Sequence, residues 1–182
     1  MGKNLGLVLY LVGMLVTFSQ FVEAADTGPQ NELKSGYYLL HQLADDESGV
    51  SMLFLAKDAP EQIGSYGKQV SQTGKETVTA IDKMEDQNPS LRMGKDPLPQ
   101  IELDVRAYIR DDKEHQLLFG SSGNEFVRVF LTTQIQASTY GLNLCKVLAD
   151  KETNPRRAQV LREMGAKWQK LRDDAFRLLR NY

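Results

Sequence analysis

Cysteine and histidine are scarce in this sequence. Among its 182 residues Cys145 is the only cysteine, and His41 and His115 are the only histidines. A single cysteine excludes a disulfide within one chain, so stability must come from packing. Three such side chains also leave few ligands for a zinc or haem site. We therefore predict that the protein has no cofactor.

Motifs for catalysis and nucleotide binding are also missing. The segment 120–123, Gly-Ser-Ser-Gly, lacks the Gly-x-Ser-x-Gly spacing of a nucleophile elbow. After residue 24, three glycines are followed by lysine, at Gly67, Gly74 and Gly94, but none lies in the pattern of a phosphate-binding loop. These absences predict a protein that is not an enzyme. Nucleic acid is not expected as a partner, because an exported and net acidic chain seldom meets it.

The first 24 residues have the layout of a cleaved signal peptide. Lys3 precedes an apolar run from Leu5 to Val16, and small or aliphatic residues flank the end of the segment at Val22 and Ala24. The alternative is an uncleaved anchor, but a membrane helix needs about 20 largely apolar residues, and Gln20 interrupts the run. We predict a secreted or periplasmic protein, and the lack of an N-glycosylation acceptor favours a bacterial envelope.

Residues 25–182 have the length of one domain, with a proline-rich linker at 88–99. The charge is uneven along this domain. Residues 25–150 hold 12 basic and 19 acidic side chains, a net charge of −7, whereas residues 151–182 hold 9 and 4, a net charge of +5. A basic terminal helix can dock on the acidic body or contact another anionic surface.

Apolar residues recur at spacings of three and four, which predicts helices and no strands. We expect helices over residues 31–57, 60–88, 99–118, 123–149 and 155–182. An up-down antiparallel bundle of four to five helices is the simplest arrangement of such elements. The second helix carries Thr73 and Thr77 in its narrow seam and should be the loosest element. Whether the third and fourth helices form one kinked rod stays open.

Individual positions in these helices also carry predictions. The third helix should turn Ile101, Val105, Tyr108 and Ile109 inward and the charged residues 111–114 outward. Ser122 and Glu125 match a capping box at the start of the fourth helix. Asn154 and Pro155 match an N-cap and first-turn pair for the last helix. Trp168 should lie in the buried seam of that helix, and Cys145 should behave as a small hydrophobic residue.

A metal or small ligand between helices is the alternative function. The long helices look like a ferritin-like arrangement, but the Glu-x-x-His ligand pairs of that family have no matching positions here. Weak candidates are His41 with Asp45 one turn later, and Glu102; Glu47 and Glu125 are further inward carboxylates. In the competing interpretation, His41 only hydrogen-bonds Asp45 at the edge of the bundle.

The leading hypothesis is a non-enzymatic interaction or structural module of the envelope. A complete helical framework without catalytic residues favours a bundle whose surface binds another protein or a second copy of itself. The most basic surface is on the last helix, and its expected contact residues are Arg156, Arg157, Arg162, Lys167 and Lys170. Peripheral membrane contact through this helix is a further alternative, although its apolar seam should be occupied by the bundle.

Overall fold

Five α-helices make up most of residues 29–92 and 98–182, which are the residues described by a computed structural model of the protein. They are α1 Pro29–Ser48, α2 Glu61–Gln87, α3 Gln100–His115, α4 Gly123–Lys151 and α5 Pro155–Leu179. Short 3-10 turns lie at Val50–Leu55 and Pro89–Leu91. Neither described range contains a strand, so the all-α prediction is confirmed. The predicted signal peptide and residues 93–97 of the predicted linker lie outside the described residues.

The first predicted helix is shorter than expected. α1 ends at Ser48, and after Gly49 the chain continues as a 3-10 helix over Val50–Leu55. Glycine is a poor helix former, and the backbone N–H of Ser51 donates to Ser71 Oγ of α2 at 2.8 Å. This contact replaces the regular helical ladder, and the tighter turn buries Val50 and Leu53.

Four of the helices, α1, α2, α4 and α5, enclose the core, and α4 and α5 have the most extensive contact. The largest fully buried side chains include Trp168, Tyr37, Phe126 and Phe130. The Phe54 ring packs edge-on against Phe130 with ring centres 5.2 Å apart. The predicted central position of α4 and the burial of Trp168 are thus confirmed.

Two glycines allow close approach between helices. A Cβ on Gly74 of α2 would lie 2.6 Å from the carbonyl oxygen of Ala44 in α1, and a Cβ on Gly141 of α4 would lie 2.8 Å from the Trp168 ring. Thr73 and Thr77 of α2 are buried in the same region. The prediction that α2 would be the loosest helix is therefore wrong, because small residues bring its backbone close to α1.

The predicted helix starts have different outcomes. The Asn154 side chain accepts hydrogen bonds from the backbone N–H groups of Arg156 and Arg157 at 2.9 and 3.2 Å, so the N-cap of α5 is confirmed. The predicted capping box at Ser122 is wrong, because its side chain makes no capping hydrogen bond. Gly123 has a φ of +52°, and the chain enters α4 through this left-handed residue instead.

The third and fourth helices are separate elements. α3 continues into a π-helical turn, Gln116–Gly120, and the chain then becomes extended at Ser121 and Ser122. The Ser121 hydroxyl donates to the carbonyl of Gln116 at 2.7 Å, and Lys57 Nζ donates to the carbonyl of Ser121 at 2.8 Å. The connection between α3 and α4 is therefore held to Lys57, which follows the 3-10 helix Val50–Leu55.

Candidate functional site

The helix α3 is the element least embedded in the bundle. None of its residues is buried, and its backbone is in extensive contact only with the π-helical turn that follows it. It starts after Pro99, and a Glu102–Arg106 ion pair at 2.8 Å supports its first turns. Because its backbone stays away from the other helices, α3 is attached to them mainly by long side chains.

The apolar side chains of α3 point to solvent, which corrects the prediction that they turn inward. Ile101 is 75% exposed, Tyr108 74% and Val105 40%, while Ile109 is half-buried. The spacing of Ile101, Val105 and Tyr108, four residues and then three, places them on one side of the helix. We name this side, together with the exposed aspartates beside it, the outer face of α3; those aspartates are Asp104, Asp111 and Asp112.

Cationic side chains occupy the opposite side of α3. Arg106 is largely buried, with 16% of its side chain exposed, and it hydrogen-bonds the Tyr140 side chain of α4. The Nζ atom of Lys113 is buried and is attracted by Glu47 of α1. The prediction that residues 111–114 all point outward is thus wrong for Lys113. Glu47 is buried and Tyr140 is half-buried, and each has a cation of α3 beside it, so these two contacts explain the orientation of the helix.

Glu47 belongs to a group of polar side chains in the interior, which we call the polar layer. Its other members are Lys113, Gln134, Ser138 and Tyr66. Lys113 and the Gln134 side chain act on the Glu47 carboxyl, and the Ser138 side chain lies near the Tyr66 hydroxyl. The Tyr66 hydroxyl also donates to the carbonyl of Leu171 in α5 at 3.1 Å. The layer therefore connects all five helices.

Several polar atoms in this layer lack a hydrogen-bond partner among the described residues. They are Glu47 Oε2, Lys113 Nζ, Gln134 Oε1 and Ser138 Oγ, and Trp168 Nε1 is in the same state. Burial raises the pKa of Glu47 to about 7, although Gln134 and Lys113 oppose the shift. Burial also lowers the pKa of Lys113 to about 8 despite its attraction to Glu47. Near neutral pH both charges are thus only marginally favoured.

A second buried carboxylate, Glu152, has the opposite character. Its two oxygens accept four hydrogen bonds, from the Tyr37 hydroxyl at 2.8 Å, the Asn154 N–H at 2.9 Å, and Arg157 at 2.8 and 2.7 Å. Burial alone would raise the pKa of Glu152, yet the hydrogen bonds from Arg157, Asn154 and Tyr37 bring it down to about 2. This network fixes the α4–α5 connection to α1 and has no oxygen left for a ligand.

The predicted contact residues of the last helix lie on α5. Arg156 and Arg162 are exposed and form no ion pair within the described part of the chain. Arg157 pairs with Glu152 at 2.7 Å, and Lys167 pairs with Glu76 of α2 at 2.7 Å. Lys170 pairs with Asp174 at 2.5 Å. Part of the basic charge of α5 therefore stabilises the bundle, and the rest faces solvent.

The predicted metal candidates are not brought together. His41 Nε2 lies 3.1 Å from Asp82 Oδ1 of α2, so its partner is Asp82 and not the predicted Asp45. Asp45 is exposed, and Glu102 pairs with Arg106. Within residues 29–92 and 98–182, no three His, Cys, Asp or Glu side chains form a group that could hold a metal ion. The buried polar atoms without partners lie in the polar layer and not at His41.

Sequence reasoning found some residues of the polar layer and missed others. Glu47 was expected to point inward, whereas Lys113 was expected to point outward. Gln134 and Ser138 lie four residues apart in the most apolar helix, and this spacing places two polar groups on one face. That spacing was the available signal for a buried polar site. Cys145 is buried as predicted, and burial raises the pKa of its thiol to about 12.

Comparison with known proteins adds no family to this description. No family model, curated protein or solved structure matches the chain significantly. In the parts of the chain that the structure describes, no helix combines the length and apolarity required to cross a bilayer. The polar layer and the surfaces of α3 and α5 are the features of the described residues that bear on function.

Proposed function

We propose that this protein is a non-enzymatic interaction module of the cell envelope, which binds a macromolecule through the outer face of α3. The observation that carries the proposal is the exposure of Ile101 and Tyr108, about three quarters each, on a helix that buries none of its own residues. An apolar surface with a polar rim is typical of a protein-binding site.

The chemistry of the outer face supports contact with a partner. Tyrosine contributes a large apolar area and a hydroxyl group, and it is enriched where binding energy concentrates in interfaces. Asp104 and Asp111 flank the apolar side chains and add negative charge. The basic surface of α5, with Arg156 and Arg162, is a second contact surface of opposite charge. An interaction module needs such surfaces and needs no catalytic residues.

Location and topology complete the proposal. Export by a cleaved signal peptide, residues 1–24, would place the bundle in the periplasm or outside the cell. The length of the helices and their short connections support an up-down antiparallel arrangement of the single domain 25–182. Peripheral membrane contact is a weaker alternative, because the apolar seam of α5 is buried in the bundle.

Site-specific photo-crosslinking in living cells tests the proposal. A photoreactive phenylalanine analogue replaces Tyr108 in one strain and Lys68, an exposed residue of α2, in a control strain. We expect a discrete crosslinked product from position 108 and none from position 68. Absence of a product at position 108, with normal protein levels, contradicts the proposal, as does an equal pattern from both positions.

The second candidate function is binding of a small polar ligand in the polar layer. It is favoured by the buried and unpartnered atoms of Glu47, Lys113 and Ser138, which could receive the donors and acceptors of such a ligand. Native mass spectrometry of untagged protein, with elemental analysis, tests it. A ligand lost in Ser138→Ala and retained in Ser65→Ala, an exposed control on α2, supports this function. Unliganded protein with no bound metal removes it.

A further inference from the structure

The exposed end of α5 carries a second apolar surface. Asp173, Phe176, Leu179 and Arg180 line an open depression there. Phe176 is 47% exposed although it follows Ala175, which is fully buried. An aromatic ring at the edge of a depression can receive an apolar side chain from another molecule. We name this surface the α5 depression.

The end of α5 that holds the depression has a net positive charge. Arg180 forms part of its lining, and Arg177, which pairs with Asp174 at 2.7 Å, is exposed next to Phe176. Residues 170–182 hold four basic and two acidic side chains, a net charge of +2. Asp173 is neutralised by its ion pair with Arg172 at 2.9 Å. The depression is therefore apolar at its centre and basic at its rim.

The outer face of α3 has the complementary composition. It presents Ile101 and Tyr108 with an acidic rim of Asp104, Asp111 and Asp112. Pairing of two outer faces with each other would bring these aspartates together, which like-charge repulsion disfavours. The outer face and the α5 depression instead offer apolar groups to each other and charges of opposite sign.

The two surfaces do not meet within one molecule. α3 and α5 have no extensive contact, and the outer face points away from the side of α3 that faces Glu47 and Tyr140. From these observations we infer that the outer face of α3 docks in the α5 depression of a second copy of the same chain. This inference rests on the proposed function and names the partner.

The geometry of such a contact has a consequence for assembly. Two different surfaces meet, so the contact is heterologous, and each bound copy still offers one free surface of each kind. Repetition of the contact gives rings where the rotation closes and open chains where it does not. The few side chains involved form an interface at the small end of the known range, so association should be weak and should depend on protein concentration.

Sedimentation of the protein expressed from the full chain tests the inference. From about 1 µM to about 1 mM protein, we expect the average mass to rise beyond that of a dimer. Raising sodium chloride from about 50 mM to about 500 mM should weaken association about tenfold, because the rims are oppositely charged and exposed. A mass that stays at one chain over the whole range overturns the inference.

Two variants, each with one damaged surface, sharpen the test. The first combines Ile101→Ser with Tyr108→Ser on the outer face, and the second combines Phe176→Ser with Arg180→Glu at the α5 depression. We expect each variant alone to be monomeric. An equimolar mixture should form a dimer and nothing larger, because the first variant keeps the depression and the second keeps the outer face. Circular dichroism confirms that both variants fold.

The other outcomes separate this inference from the proposed function. If the α5 variant associates like the unmodified protein while the α3 variant does not, the outer face binds elsewhere on the second copy and the head-to-tail contact is wrong. If all proteins are monomeric but photo-crosslinking at position 108 yields a different protein, the proposed function stands and self-association is wrong. Lys68→Ser on α2 is the matched control and should associate normally.

Discussion

Glu152 and Glu47 are both buried glutamates with a cation and a tyrosine nearby, yet their surroundings differ in completeness. Glu152 accepts four hydrogen bonds and has its pKa lowered to about 2, whereas Glu47 keeps an unpartnered oxygen and has its pKa raised to about 7. The difference lies in geometry, because Arg157 holds Glu152 with two short hydrogen bonds and Lys113 reaches Glu47 only from the loosely attached α3.

This difference distinguishes the Glu152 region, which has a structural role, from the Glu47 region, whose polar groups can still accept new partners. The Glu152 network lies at the connection of α4 and α5, next to the most extensive helix contact of the bundle. The polar layer includes Lys113 of α3, a helix whose backbone has few contacts with the other helices. Functional sites tend to retain unsatisfied or strained groups, while structural networks are satisfied. By this criterion the candidate functional region is the one that includes α3, and not the connection of α4 and α5.

The largest expected effect on stability comes from removing Arg157 from the Glu152 network. Arg157→Met leaves the Glu152 carboxylate buried with two hydrogen bonds fewer, so we expect the free energy of unfolding to fall by about 3 kcal/mol. Urea denaturation at neutral pH measures this loss. Arg156→Met is the matched control, since Arg156 is the exposed neighbour, and should change stability by less than about 0.5 kcal/mol. Equal losses in the two variants would contradict the structural role of the network.

The two glutamates should also give opposite dependences of stability on pH. The pKa of Glu47 is raised in the folded protein from 4.5 to about 7, so the folded state binds a proton more tightly and the free energy of unfolding falls as pH rises through that window. The pKa of Glu152 is lowered from 4.5 to about 2, so its contribution is lost as pH falls through that window.

Glu47→Gln isolates the first of these effects. We expect it to stabilise the protein by about 2 kcal/mol at about pH 8, because it removes a buried charge but also removes the attraction to Lys113. At about pH 4.5 the gain should vanish. Urea denaturation at both pH values measures it, and Glu152→Gln should instead destabilise the protein at about pH 8. A Glu47→Gln variant that is less stable at the higher pH would refute this interpretation of the polar layer.

Hydrogen exchange compares the two regions without a substitution. We expect the amides of α3 to exchange at least about tenfold faster than those in the middle of α5, because α3 buries no residue and α5 buries seven. Mass spectrometry of peptides after exchange measures both helices in one sample. Equal protection of the two helices would show that α3 is fixed as firmly as the core.

The smallest expected effect on stability comes from the outer face itself. Ile101→Ser should change the free energy of unfolding by less than about 0.5 kcal/mol, because the side chain is already in water. Ile81→Val removes one methylene from a fully buried position and should cost about 1 kcal/mol. Thermal denaturation of dilute protein measures both. A larger loss for Ile101→Ser would mean that the outer face is covered within the monomer.

Much of the helical framework follows from the sequence. α2, α4 and α5 were predicted because their apolar residues repeat at spacings of three and four, and the α5 start was predicted from Asn154 and Pro155, whose effects are local. The orientation of α3 was not predictable in this way. Its apolar residues would face inward by the usual rule, but Lys113 and Arg106 are drawn to Glu47 and Tyr140 on helices distant in sequence.

The same limit applies to the end of α1 and to the candidate site. Ser51 donates to Ser71, and a local pattern cannot show that this contact ends a helix. The basic residues of α5 were visible as charges, but the division between Lys167, which pairs with Glu76, and the exposed Arg162 depends on the packed bundle. Partner choice among charges is set by tertiary structure.

The thiol of Cys145 can report how often this fold opens. It is sealed against α5, where a Cβ on Gly165 would lie 3.3 Å from the Cys145 Cβ, and burial keeps the thiol protonated. A thiol-specific reagent can therefore react only after α4 and α5 separate. The rate of its reaction with Cys145 measures how frequently the two helices separate. Under oxidising conditions, chains that have not finished folding would crosslink through this thiol, whereas folded bundles would not.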